Sequence, residues 1–276
     1  MAASSVAITR RGRRLIAVYF AGFLAFLYAP LALMLVLSFG ENFSGLPWTG
    51  FTFDWYRAAY EYDDRSGQSS IWRAHINSAW IGLAVAIIDT TLALLFSYGM
   101  ARGQRVVGRP ALLALCLMPL AAPPAAYGAA VLVFARRGPV DVPFGLHLVL
   151  LAHAVLFLPI AILFLLPRIS AIAREILESA EDLGATGPQT LRRVVMPLAR
   201  PALVGAFAAT FLFSFNEPVV ASWLVDRQIT YPVFLFSVGR GSAAGPLIAA
   251  VATAGYPVVL IAIAVIQIGV RGRRDG

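Results

Sequence analysis

Apolar residues in this chain are collected into long runs, and the polar residues between them fall into short segments. Six runs stand out: Leu15–Phe39, Ile76–Met100, Ala111–Phe134, His147–Pro167, Pro201–Ser222 and Pro246–Val270. A bilayer core of roughly 30 Å is crossed by about 20 apolar residues of helix. Backbone groups surrounded by lipid must be satisfied within their own segment, which selects helices. The pattern predicts an all-α polytopic membrane protein, a single domain over 1–276 with six transmembrane helices. The first run is longer than a signal-peptide core and no small-residue cleavage site follows it, so it is expected to remain as an anchor.

Polar residues inside the runs mark the candidate chemistry. Asp89 stands in the second run beside Thr90 and Thr91; a carboxylate at that depth should face the protein interior or a watery path, and the threonines are expected to bond neighbouring helices. The third run holds Pro119, Pro123 and Pro124 just before Tyr127 and Gly128. Prolines remove backbone bonds, so the helix should bend or break there, either lining a pathway or forming a packed kink. In the fifth run Thr210, Ser214 and Glu217 recur at i, i+4 and i+7, one polar stripe, with Asn216 and Pro218 flanking the carboxylate. By helix rise, Glu217 lies about 24 Å from Pro201 and Asp89 roughly 20 Å from the other end of its own helix, so the two acids are not expected to pair. Glu217 either lines the outer half of a pathway or bonds the backbone groups that Pro218 frees. Between the first two runs, Gly45, Pro47 and Gly50 mark turns, Asp54 is placed to cap a short helix through Tyr60, and Trp48, Trp55, Tyr56, Tyr60 and Trp72 suit a water–lipid interface. A Gly255–Pro257 hinge is expected in the sixth run.

The longest polar interruption of the second half, within 169–200, is patterned. Ile172, Ile176, Ala180 and Leu183 fall on one helical face, which is expected to lie against the bundle. Gly184 ends that helix, Pro188 begins another and Pro197 is expected to close it. A connection of about thirty residues is long for a plain link, and such segments are usually functional.

Charge sets the expected orientation. The chain of 276 residues is 59% hydrophobic and only 13% charged, and all 22 of its basic side chains are arginines. Fifteen of them precede the first run, lie in 101–110 and 168–200, or follow residue 270, against seven in the alternate loops. Both termini and the 169–200 segment are therefore expected in the cytoplasm, with Arg136 and Arg137 running against the trend. The net charge of +8 is accounted for by this bias rather than by nucleic acid. Cys116 is alone, and His75, His147 and His153 are not spaced as a metal set. With no lysine the chain has no phosphate-binding GxxxxGK[ST] loop, and neither GxSxG nor HExxH occurs. No catalytic residue, metal or cofactor of its own is expected, so uphill transport would draw on another polypeptide or on an ion gradient.

The segment around Glu178 decides between these sources. Glu178, Ser179, Ala180, Gly184, Val194, Met196 and Pro197 match the spacing of the signature loop of binding-protein-dependent ABC-transporter permeases. The chain resembles that family from Leu15 to Val270, and "GFTFDWYRAAY" and "FSFNEPVVASWL" look like the second membrane subunit of spermidine/putrescine-type importers. The resemblance implies the type I importer permease fold in a bacterial inner membrane. It implies docking of the 178–197 helix pair on a cytoplasmic ABC ATPase dimer carrying ATP and Mg²⁺. It further implies a second homologous permease subunit and a solute-binding protein that delivers cargo. The implied pathway residues are Asn216, Glu217, Ser214, Thr210, Asp89 and Tyr127. The position of Asn216–Glu217 is commonly acidic in the subfamily, consistent with a small cationic, polyamine-like solute; Asn216 and Pro218 depart from its pattern. The competing reading is an ion-coupled secondary transporter using Asp89 and Glu217, which would have no need of a docking helix pair.

Overall fold

The computed structural model describes residues 10–42, 48–61, 71–102, 108–138, 142–240, 245–261 and 264. Its helices are α1 (Arg10–Leu37), α2 (Asp54–Glu61), α3 (Ile71–Arg102), α4 (Arg109–Leu117), α5 (Pro124–Arg137), α6 (Leu146–Ser170), α7 (Arg174–Asp182), α8 (Gly187–Thr190), α9 (Met196–Phe215), α10 (Val219–Leu224), α11 (Tyr231–Arg240) and α12 (Pro246–Ala254). Arg11–Leu37, α3, α6 and the continuous helix Gly187–Phe215 are each long and apolar enough to cross a bilayer. A fifth apolar stretch is broken: Arg109–Ala121 and Pro124–Arg137 are long and apolar enough together for a span but meet at 102°. The apolar helix Pro246–Ile261 is shorter, and the end of the expected sixth span falls partly outside the described residues.

The chain divides into two compact units. In the first, α1 packs on α12, and an aromatic knot follows α1. Phe39 stacks on Phe51 with centroids 5.0 Å apart, and Trp55 Nε1 donates to Gly40 O at 2.6 Å. The Tyr56 hydroxyl is within hydrogen-bond distance of Ser38 Oγ at 2.8 Å and Thr253 Oγ1 at 2.9 Å. Trp55 and Tyr56 thus turn inward and organise the segment instead of facing an interface. Asp54 is the first residue of α2 rather than its cap, because the backbone bonds of Tyr56 and Arg57 begin from Phe53 O.

The second unit is built on α3, α6 and α9, packed along their lengths. Two apolar clusters fill it. One, toward the start of α3, includes Ile81, Val85, Val149, Leu156, Val220 and Leu224. The other, toward Arg102, includes Ala93, Ile162, Leu165, Val195 and Ala199. Here the structure corrects four expectations. Pro197 does not close a helix: a π-turn over Leu191–Val195, in which Met196 N–H reaches back to Leu191 O, carries the chain past the missing proline N–H. The fifth span does not run intact to Ser222, since α9 ends at Phe215 and the chain restarts after Pro218. Thr91 bonds its own helix through Ile87 O at 2.7 Å, and Thr90 Oγ1 is buried with no hydrogen-bond partner among the described residues. Finally, the apolar face read over Ile172, Ile176, Ala180 and Leu183 is divided: Ile172 packs on the inner cluster, joined there by Leu177 from outside that face, while Ile176 is 45% and Leu183 89% exposed.

Candidate functional site

Two features carry the chemistry, and one helix connects them. The first is the helix pair α7–α8. Gly184 adopts φ +84°, which suits a residue without Cβ. It terminates α7 with Ala185 N–H bonded to Ala180 O at 2.9 Å and its own N–H to Glu181 O at 2.8 Å, a paired C-terminal closure. The next helix opens with Gln189 Oε1 accepting the N–H of Thr186 at 2.8 Å. Glu178 pairs with Arg174 one turn earlier, and Ser179 Oγ donates to Glu175 O at 2.6 Å. The pair is braced on the bundle: Arg102 at the end of α3 pairs with Glu181, and Tyr98 Oη donates to Gly187 O at 3.2 Å. Val194, Met196 and Pro197 form the π-turn and the first α-turn beyond it.

The second feature is a cavity of about 650 Å³ between the two broken spans. Pro119, Leu120, Ala122 and Pro124 line it from one break, Leu212, Phe213, Asn216, Glu217 and Pro218 from the other, and Leu156, Phe157 and Ile160 from α6. Asn216 Nδ2 donates to Leu212 O at 3.0 Å. The Glu217 carboxylate accepts from the amides of Val219 (2.8 Å), Val220 (2.8 and 3.0 Å) and Ala221 (3.1 Å), closing the open backbone of α10. Of the two roles open to Glu217, the structure shows the bonds to backbone amides, and the same side chain also forms part of the cavity wall.

The other expected pathway residues lie off that wall. Thr210 is buried with its hydroxyl on Ala206 O at 2.8 Å. Ser214 is buried within 3.0 Å of His153 Nδ1. Tyr127 Oη donates to Ala152 O at 2.9 Å and ties α5 to α6. Asp89 is fully buried on α3, and neither carboxyl oxygen has a hydrogen-bond partner among the described residues. No ion pair joins it to Glu217 among the described residues.

His153 is the residue that metal-spacing arguments pass over. It is fully buried in α6, and its Nε2 stands 3.4 Å from Glu217 Oε2, long for a hydrogen bond but within ionic reach. The available signal was its type: a lone ionisable group in an apolar span is as conspicuous as Asp89. The halves beyond the two breaks also pack closely. A Cβ on Gly128 of α5 would lie 2.7 Å from Trp223 of α10.

Residues 90–273 match the family of binding-protein-dependent transport system inner membrane components. The chain is 29% identical over 216 residues to the spermidine/putrescine transport system permease protein PotC of Haemophilus influenzae, covering 78% of this chain and 80% of the relative. It is 26% identical over 235 residues to the putrescine transport system permease protein PotI of Escherichia coli K12, covering 83% and 80%. In fold it is similar to a chain of a bacterial ABC transporter involved in alginate import, with a TM-score of 0.71 at 16% identity, covering 94% of this chain and 97% of that one. Since the family match takes in well over half of its residues, the chain belongs to the binding-protein-dependent transport system inner membrane components, as a permease subunit of an ABC importer.

Proposed function

We propose that this permease forms half of a translocation pore beside a second homologous subunit. A cytoplasmic ABC ATPase dimer binds and hydrolyses ATP with Mg²⁺, and a solute-binding protein delivers cargo on the outer side. On this reading both termini and the 169–200 loop face the cytoplasm, and the chain holds no cofactor of its own.

The observation that supports this most is mechanical continuity. Ile176 and Leu183 offer exposed apolar surface beside Glu175, Glu178 and Asp182, a surface suited to another protein. From Gly187 one unbroken helix of 29 residues runs to Phe215, about 42 Å at 1.5 Å per residue. Displacement of α7–α8 by a closing ATPase dimer would thus reach the Asn216–Glu217 break through a stiff rod. The cavity at that break is the pathway, with Asn216 and Glu217 facing cargo and Ser214, Thr210, Asp89 and Tyr127 behind or beside it. Relatives named for spermidine and putrescine, together with Glu217, favour a small cationic, polyamine-like solute.

Radiolabelled putrescine uptake in cells expressing Gly184→Asp or Glu178→Lys tests the coupling role. Both variants are expected to reach the membrane and to lose uptake. Normal uptake by both would overturn it.

A further inference from the structure

The continuous helix Gly187–Phe215 is weakened near its start. Pro197 and Pro201 each remove a backbone donor, and helices kink where the ladder is thinned in this way. Leu198 lies between those two prolines, and its carbonyl oxygen is held from outside the helix. Arg168, in the last turn of α6, donates to Leu198 O from Nε at 3.1 Å and from Nη2 at 2.8 Å. Arg168 is half-buried, and the residues beside the contact are set firmly in place. Ile169 of α6 and Val195 and Ala199 on either side of Leu198 are buried in the inner apolar cluster.

Further along, α6 and α9 meet through surfaces that can slide. A Cβ on Gly205 would lie 3.1 Å from the Phe164 ring, and the rings of Phe157 and Phe213 have centroids 6.0 Å apart. Apolar contact of this kind is non-directional. The polar link at the far end is a single bond, between His153 Nδ1 and Ser214 Oγ at 3.0 Å. Charge-assisted hydrogen bonds are roughly twice as strong as neutral ones, and Arg168 makes two of them to one carbonyl. Under a push on the helix, the Arg168 contact therefore holds and the far contact yields.

We propose that Arg168 is a positioning residue for transport, the fulcrum on which the helix Gly187–Phe215 tilts. This rests on the coupling role given to α7–α8 above. By helix rise Leu198 is about 17 Å from Gly187 and about 26 Å from Phe215. A displacement of α7–α8 thus arrives at the Asn216–Glu217 break reversed in direction and about one and a half times larger. Without the Arg168 bonds the same push bends the helix between Pro197 and Pro201 and dissipates before it reaches the cavity.

The test measures putrescine accumulated per ATP hydrolysed, in proteoliposomes holding the complete complex with its solute-binding protein. R168M keeps a long apolar side chain and removes its donors. Its ATP hydrolysis is expected to stay within about twofold of wild type while putrescine per ATP falls about tenfold. R168K, which keeps the charge and one-point donation, is expected to recover part of that ratio. A merely structural arginine would lower assembly, hydrolysis and uptake together, so an unchanged ratio in R168M overturns the fulcrum; R168Q is read by the same criterion if R168M does not assemble. A second measurement needs no cargo: the distance between spin labels introduced at the exposed positions Val155 of α6 and Phe213 of α9, with Cys116→Ser as background. Trapping the ATPase with ATP and vanadate is expected to shift that distance in wild type, and R168M to lose most of the shift. An equal shift in R168M overturns the fulcrum, and no shift in wild type overturns the coupling role itself. A wild-type complex that hydrolyses ATP yet accumulates no putrescine overturns the polyamine-like cargo alone, since the label distance still decides the role of Arg168.

Discussion

The Glu217 carboxylate lies 3.4 Å from the imidazole of His153 while it holds the first three amides of α10. One side chain therefore joins α6 to the restart of a broken span, at the wall of the cavity. Glu217→Gln replaces one acceptor oxygen with an NH₂ group facing backbone N–H groups. Leaving such a group unsatisfied costs about 1–3 kcal/mol. Putrescine uptake by this variant is expected to show an altered KM or maximal rate, roughly tenfold, with the ATPase subunit still bound. Unchanged kinetics would mark the carboxylate as purely structural.

His153→Gln is expected to impair uptake in the same direction. Because the two side chains act at one junction, the double variant with Glu217→Gln should lose less than the sum of the single losses. Strict additivity in a double-mutant cycle of uptake rates would show that the 3.4 Å approach has no energetic content.

Asp89 bears on the ion-coupled alternative. A buried carboxyl group with no hydrogen-bond partner lowers stability, so Asp89→Leu should leave the purified protein as stable or raise its Tm by a few degrees, with uptake retained. Loss of uptake in both Asp89→Leu and Asp89→Asn, with the protein folded, would instead assign Asp89 a part in transport.

Gly128 permits the close packing of α5 on α10. Gly128→Val would press into Trp223, and overpacking of this kind costs about 1–3 kcal/mol. A lowered Tm and reduced uptake are expected, with partial recovery when Trp223→Ala is added. A Tm equal to wild type would contradict the packing.

The long apolar runs made the helices legible, because lipid leaves the backbone no alternative. The broken third span was legible too, from Pro119, Pro123 and Pro124. The break in the fifth span was hidden by its apolar flanks: Val219–Leu224 continues the hydropathy of α9 although Pro218 and Glu217 separate the two helices. Pro197 misled for the opposite reason, since a single wide turn satisfies the backbone around it and leaves one continuous rod. The polar stripe of Thr210, Ser214 and Glu217 is a stripe by spacing, yet burial and local bonds leave only Glu217 at the cavity. In α7 Leu177 packs on the bundle while Ile176 and, just past the helix, Leu183 are exposed, a choice between apolar positions that periodicity alone does not make.

The central claim is that movement enters at α7–α8 from ATP hydrolysed by another chain. The direct measurement is putrescine accumulation in proteoliposomes holding the complete complex, with no ion gradient and ionophores present. The account predicts accumulation only with ATP and the ATPase subunit, abolished by Leu183→Glu. Accumulation by this permease without the ATPase subunit, driven by an imposed ion gradient, would contradict it.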